Sequence, residues 1–156
     1  DARENGCITT WDLIGATEQT INIVKPLLPH IDYFMPSIEE ASLMSGLNDP
    51  KDVGKFYLDN GAKNCVFTMG GEGSFFINKS EQIKTPAFDV KVVDTTGCGD
   101  AFDAGMITAI VKGFDIEKAL NFATITSGLV ATGLGSDAGI INLNDSLEKM
   151  NTLKRK

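Results

Sequence analysis

Short β-rich runs alternate with longer stretches of helical period along this chain, the pattern of an α/β layer structure. Cys7-Ile8-Thr9-Thr10-Trp11 reads as a strand ending at Asp12. From Thr17 to Leu28 the apolar residues Ile21, Val24, Leu27 and Leu28 recur at helical spacing, which predicts an amphipathic helix. Pro29 and a short apolar run, Tyr33-Phe34-Met35, follow. Ser37 to Ser45 is a predicted helix closed by Gly46, and Pro50 to Asn60 is another closed by Gly61, in keeping with the role of glycine as a helix stop. Asn64 to Met69 reads as a strand, and Ser74 to Asn78 as its hairpin partner across Gly70-Gly71-Glu72-Gly73, a turn-rich connection. Extended chain is expected from Gln82 to Val93.

The second half changes to longer helices. Asp100 to Lys112 is apolar almost all round (Ala101, Phe102, Ala104, Met106, Ile107, Ala109, Ile110, Val111), and such a helix is normally buried. Gly113 ends it. Asp115 to Thr132 carries a stripe at Ile116, Ala119, Leu120, Ala123, Ser127 and Val130, and a polar helix is expected from about Asn144 to Lys154. No repeat, low-complexity tract or linker interrupts the sequence, so residues 1–156 are expected to form part of one domain. The opening Asp1-Ala2-Arg3-Glu4, without an initiator methionine, reads as the polar end of a helix in a longer protein.

Composition narrows the choice of chemistry. The chain is 42% hydrophobic and 22% charged, within the globular range and against disorder. Fourteen Lys and Arg against 21 Asp and Glu give a net charge of −7, which argues against nucleic acid or an anionic membrane as partner. No apolar run approaches the roughly 18 residues of a membrane span, and no signal peptide opens the chain. Cys7, Cys65 and Cys98 are isolated and odd in number, which suits neither a disulfide framework nor a zinc site and predicts a cytoplasmic location. His30 is the one histidine, so two-histidine chemistry is excluded. His30, Trp11 and Cys7 read as ordinary core or surface residues.

The segment with the most chemical information is Val93-Asp94-Thr95-Thr96-Gly97-Cys98-Gly99-Asp100-Ala101-Phe102. Two glycines around one small residue, just before a helix, leave backbone N–H groups free to hold an anion at the positive end of the helix dipole. A carboxylate in that turn would repel phosphate, so Asp100 needs a reason. One reading makes it a base that takes a proton from an attacking hydroxyl while N–H groups hold a phosphoryl group. The other makes it a helix cap, since Asp is a favoured cap residue. The lysine-bearing P-loop, a GxGxxG dinucleotide fingerprint and a GxSxG hydrolase elbow are all absent.

Asp94 to Phe102, DTTGCGDAF, resembles the second signature of the ribokinase-like (PfkB) carbohydrate kinase family, usually written DTxGAGDxF. Cys98 stands where Ala is commonest in the family. The resemblance runs through most of the chain, which looks like the family's C-terminal half. It implies an α/β fold, ribokinase-like, with a central mostly parallel sheet and helices on both faces. It also implies that Asp100 is the catalytic base and that the backbone of Gly97, Cys98 and Gly99 forms an anion hole. A thiol at a helix N-terminus is expected to be reactive, which makes Cys98 a candidate for easy modification.

Other positions follow from the same resemblance. Thr68-Met69-Gly70-Gly71-Glu72-Gly73 is similar to the family's TxGxxG strand and turn, which touches the ATP phosphates and ribose. Thr68, Gly70, Gly73 and Gly99 are therefore nucleotide-binding candidates. Thr124 lies where some relatives place Asn beside the adenine. Ser37-Ile38-Glu39-Glu40 corresponds to NxxE, whose Glu helps organise magnesium waters; Ser37 replaces the Asn, and Ser37 with Glu40 also fits a capping box. Asp94 and the Thr96 carbonyl match positions where some members hold a monovalent cation such as K+, with a partner loop near Val130, Gly133, Gly135 and Gly139. Asp12 lacks the Asn and Arg that follow it in ketodeoxygluconate-type kinases.

The resulting expectation is the nucleotide-binding part of an ATP- and Mg2+-dependent carbohydrate kinase that phosphorylates a hydroxymethyl group of a sugar or sugar-like substrate. A nucleoside or vitamin-alcohol kinase of the same fold, or a non-catalytic nucleotide-binding regulatory protein, are the alternatives. The expected partners are a small-molecule sugar and ATP. The preceding half, carrying the lid and a homodimer contact, is expected to lie outside this chain.

Overall fold

The computed structural model describes residues 2, 4–140 and 142–156. Strand β1 (Thr10–Trp11) pairs in parallel with β2 (Tyr33–Phe34), Thr10 opposite Tyr33, and β2 pairs in parallel with β3 (Asn64–Thr68), Tyr33 opposite Asn64. β4 (Ser74–Asn78) and β5 (Gln82–Thr85) complete a five-stranded sheet in the order β1-β2-β3-β4-β5. Parallel neighbours need a crossover, and helices supply it here. α1 (Ile21–Leu27) lies between β1 and β2, and α2 (Ile38–Ser45) and α3 (Pro50–Asp59) lie between β2 and β3. β3 and β4 are joined by a turn too short for a crossover, so they run antiparallel; the Asn78 amide at the end of β4 donates to Asn64 Oδ1 at the start of β3, at 3.3 Å. The sheet is thus mixed and mostly parallel, as the pattern of strands and helices predicts.

By its contacts the chain divides into two compact units, one holding the residues up to Met69 with Phe75–Ile83, the other holding Gly70–Ser74 with Lys84–Lys156. In the first, α2 and α3 close over a core of Val24, Leu28, Phe34, Val53, Tyr57, Cys65 and Phe67. Phe34 and Tyr57 rings lie 5.0 Å apart, and the buried Tyr57 hydroxyl donates to the Ala41 carbonyl at 2.8 Å. That bond satisfies the one polar atom such a ring brings into a core. α3 begins where its sequence says it should: Asp49 accepts the N–H groups of Lys51 and Asp52, and Pro50 occupies the first turn, where its missing N–H costs nothing.

The second unit is built on three helices, α4 (Cys98–Val111), α5 (Ile116–Val130) and α6 (Leu143–Thr152). Phe102, Met106 and Ala109 of α4 are buried, as are Leu120, Ala123 and Ile125 of α5. At Gly105 the backbones come close, and a methyl group there would meet the Ala123 Cα at 2.7 Å. The last residues leave α6 in extended form. Asp89 N–H donates to the Lys154 carbonyl (2.8 Å), Lys156 N–H donates to the Ala87 carbonyl (2.9 Å), and Phe88 faces Arg155 in an antiparallel bridge.

Several sequence expectations are corrected. The strand expected over Cys7–Trp11 is reduced to Thr10–Trp11, because the Asp32 carboxylate takes the Thr9 N–H (3.0 Å), though the Thr9 carbonyl still accepts the Tyr33 N–H (3.0 Å). The helix expected from Thr17 to Leu28 breaks into a 3-10 turn, α1 and a second 3-10 turn at Leu28–His30, since Pro26 and Pro29 remove two N–H donors. The extended segment is a strand only to Thr85, ahead of Pro86. α4 starts two residues before Asp100 and is not buried all round: Ala104, Ile107 (44% exposed) and Val111 (79% exposed) face outward. α5 stops at Val130 and α6 at Thr152. Of the predicted opening helix end, Asp1 and Arg3 lie outside the described residues, and Ala2 and Glu4–Gly6 form turns.

Candidate functional site

The glycine loop ends in a true helix start. Gly97 is the N-cap of α4 with φ 77°, a left-handed conformation that a side chain resists. A Cβ at Gly97 would also meet Ser136 Cβ at 2.5 Å and Cα at 2.6 Å, so glycine is required twice over. The Cys98 N–H bonds the Thr95 carbonyl (3.2 Å) and the Ala101 N–H bonds the Gly97 carbonyl (2.9 Å). Gly99 and Asp100, second and third residues of α4, thus present the first-turn N–H groups that a helix leaves unpaired.

Asp100 is exposed. It does not cap the helix: Gly97 does, and no side chain accepts a capping bond there. The capping alternative for Asp100 is therefore overturned. The carboxylate faces solvent within the positive end of a 14-residue helix, where the dipole favours a negative charge.

Asp94 ties this loop to the one after α5. Its Oδ1 accepts from the Thr96 N–H (3.0 Å) and hydroxyl (2.8 Å), and its Oδ2 accepts from the Gly135 N–H (3.1 Å). The Thr96 and Gly135 amides, aided by the Thr96 hydroxyl, hold the Asp94 carboxyl below its ordinary value of 3.8. The Ala131 carbonyl accepts from the Val93 and Asp94 N–H groups. The expected partner loop thus does meet the DTTG segment, through Gly135, Ser136 and Ala131. Sequence alone offered no signal for Ser136, whose Cβ and Cα lie nearest the position a Gly97 side chain would take.

Cys98 departs from expectation. Its thiol donates to the Ser127 carbonyl of α5 at 3.6 Å, and burial pushes it above the ordinary thiol value despite that bond. Desolvation thus moves the Cys98 thiol away from the lowered, reactive state expected at this position.

In the glycine turn, Gly70, Gly71 and Glu72 form one 3-10 turn and the Gly73 N–H closes onto the Gly70 carbonyl (3.1 Å). A side chain at Gly73 would run into the Thr85 carbonyl and the Ala87 N–H, so the turn packs flush on residues 85–87. Glu72 pairs with Lys84 at 3.1 Å. Next to the turn, the buried Ser74 hydroxyl shares a 3.3 Å hydrogen bond with Thr124 Oγ1. Thr124 is only 6% exposed.

The remaining candidates belong to the first unit. Thr68 ends β3 and bridges to Ser37 in parallel. Glu40 completes the capping box: Ser37 Oγ donates to Oε2 (2.8 Å) and Glu40 N–H donates to Ser37 Oγ (3.2 Å). Its Oε1 accepts the Gly15 N–H at 3.0 Å, a link to the loop after β1 that spacing did not reveal. Among the described residues no three His, Cys, Asp or Glu cluster as a ready-made metal site. Nor is any helix there long and apolar enough to cross a membrane.

An α/β fold with a glycine-capped helix start, an acid in its first turn and a glycine turn offers backbone donors of the kind that hold anions. Comparison makes this specific. Residues 3–142 match the pfkB family carbohydrate kinases, and the chain belongs to that family. It is 31% identical over 132 residues to an ATP-dependent 6-phosphofructokinase of Thermoanaerobacterium thermosaccharolyticum, covering 85% of this chain and 41% of that protein. It is 31% identical over 120 residues to a ribokinase of Staphylococcus aureus, covering 73% and 40%. A crystal structure of an E. coli ribokinase II in complex with ATP and Mg2+ superposes with TM-score 0.83 at 26% identity, covering 96% of this chain and 50% of that one. The chain spans half or less of the length of these relatives.

Proposed function

We propose that the chain is the C-terminal, nucleotide-side portion of an ATP-dependent sugar kinase with Asp100 as its general base. The observation that carries this reading is the Asp100 carboxylate, exposed in the first turn of α4, behind a left-handed glycine cap and, among the described residues, without a structural bond. A proton passes from the acceptor hydroxyl to Asp100 as the oxygen attacks the γ-phosphorus, and the bond to ADP breaks. The Gly99 and Asp100 amides, with those of Gly97 and Cys98 once the Cys98–Thr95 bond yields, stabilise charge on the transferring group. Gly70 and Gly73 bring the backbone close to the phosphates, with Thr68 at the strand end. Thr124 shapes the base pocket through its methyl group, its hydroxyl being shared with Ser74.

Magnesium, when bound, would neutralise phosphate charge. Glu40 fits an outer position acting through water, since Gly15 and Ser37 already occupy both carboxylate oxygens. For a monovalent cation such as K+, the Thr96 carbonyl is the better of the two candidate ligands, because Asp94 accepts N–H donors on both oxygens.

The test is Asp100→Asn in the parent polypeptide. The side chain keeps its size and breaks no bond, so folding should be unchanged. Turnover should fall about 10²–10⁴-fold, with ATP affinity retained or tighter because a negative charge beside phosphate is removed. Turnover near the parent value would dismiss Asp100 as base. Sugars and nucleosides assayed side by side as acceptors decide the substrate class, and ATP binding without turnover of any would favour a regulatory role.

A further inference from the structure

We propose that the extended segment Lys154–Lys156 is one wall of the phosphate site, with Lys156 as a phosphate-binding residue beside the turn Gly70–Gly73. The inference rests on the reading that this turn receives ATP.

The tail is held in place rather than loosely attached. Residues 154 and 156 bond the backbone of 89 and 87. Between them the Arg155 guanidinium lies 3.4 Å from the centroid of Phe88 and donates to the Pro86 carbonyl (2.8 Å) and to Asn121 Oδ1. Side chains alternate along an extended segment. With Arg155 fixed against Phe88, Lys154 and Lys156 leave by the opposite face.

The segment they pair with is the one on which Gly73 packs. The tail therefore runs beside the glycine turn, and the Lys156 ammonium lies 3.8 Å from where a Cβ on Gly71 would sit. The one acid of the turn, Glu72, is paired with Lys84. Among the described residues Lys156 has no carboxylate partner. An unpaired ammonium over a glycine turn has the chemistry to meet a polyphosphate, adding a mobile point charge to backbone donors.

The test uses the parent polypeptide and three nucleotide probes: magnesium-ATP, magnesium-ADP and adenosine. Lys156→Gln should weaken ATP about tenfold, the scale of one charge-assisted contact, with adenosine unchanged. KM for ATP should rise while kcat holds. Lys154→Gln, the control on the same tail, should alter ATP binding less than twofold, and Lys156→Arg should restore most of the loss. Equal ATP affinity in parent and Lys156→Gln overturns the tail proposal and leaves the kinase reading standing. Equal weakening of ATP and adenosine overturns it too, since a phosphate contact cannot act on adenosine. A parent polypeptide that binds no ATP overturns both.

Discussion

Replacing Gly105 by alanine sets two opposing effects against each other with a predictable sign. Alanine is the better helix former by about 1 kcal/mol, so on local grounds the variant gains stability. The added methyl, however, would sit 2.7 Å from the Ala123 Cα, 3.2 Å from Thr126 Oγ1 and 3.3 Å from Thr126 Cβ. Relaxed carbon contacts lie near 3.5–4.0 Å, so α4 and α5 must part by about 1 Å. Trimming a side chain does not relieve the clash, because the nearest atom is backbone. Thr126 cannot swing aside cheaply either, since its hydroxyl is bonded to the Phe122 carbonyl at 2.7 Å. Overpacking costs about 1–3 kcal/mol, and with backbone as the nearest atom the cost here falls in the upper part of that range, about 2–3 kcal/mol. That leaves a net loss of roughly 1–2 kcal/mol and a fall in Tm of about 2–8 °C. Urea unfolding followed by circular dichroism measures it, with an unchanged m value expected. A variant as stable as the parent, or more so, would show that helix propensity decides and that the helices do not meet closely at Gly105.

Two further predictions concern titrating groups. Alkylation by iodoacetamide at pH 8 should label exposed Cys7 first, Cys98 slowly and Cys65 last, since Cys98 is partly buried and Cys65 is fully buried with its thiol pushed up to about 12 by burial; mass spectrometry that finds Cys98 labelled as fast as Cys7 would contradict the burial of its thiol against α5. Asp94 should contribute pH-dependent stability. Its carboxyl is depressed in the fold by the Thr96 and Gly135 donors, so its contribution is present above the ordinary carboxylate value and is lost as pH falls through the folded one. The difference in urea midpoint between parent and Asp94→Asn should therefore be full at pH 5 to 7 and shrink below about pH 4; a difference that is constant with pH would argue against the assigned bonds.

Local features were the most readable part of this chain. The Ser37–Glu40 box, the Asp49-Pro50 start of α3, the β3 and β4 strands and the glycine loop before α4 all depend on residues close in sequence, and their signals are strong. What failed depends on distant partners. Thr9 falls outside β1 because Asp32, itself held by Lys63 at 2.6 Å, takes its N–H. Cys98 is not activated as expected because packing against α5 desolvates its thiol. At the site, the motif marked Asp100, Gly97 and Asp94, but it could not show that Asp94 binds the loop after α5, or that Glu40 reaches Gly15. Those bonds go to backbone amides, which carry no residue-type signal. The tail at Lys154–Lys156 was invisible for the same reason, its pairing with 87–89 being almost wholly main chain.

The joint between the DTTG segment and the 131–139 loop has an evolutionary consequence. Its contacts are the Ala131 carbonyl, the Gly135 amide and the Ser136 backbone, so most side chains of the loop are spectators. Point substitutions at exposed Leu134 or Asp137 should drift freely, while a single inserted or deleted residue would move the Gly135 amide off Asp94 and tilt the start of α4. Gly133, where a Cβ would meet the Ala138 Cβ at 2.6 Å, Gly135, at φ 90°, and Gly139, against which the Leu129 carbonyl packs, resist substitution as well. Selection on this loop would thus act on its length before its letters, and homologous loops should align by spacing even where their sequences share almost nothing.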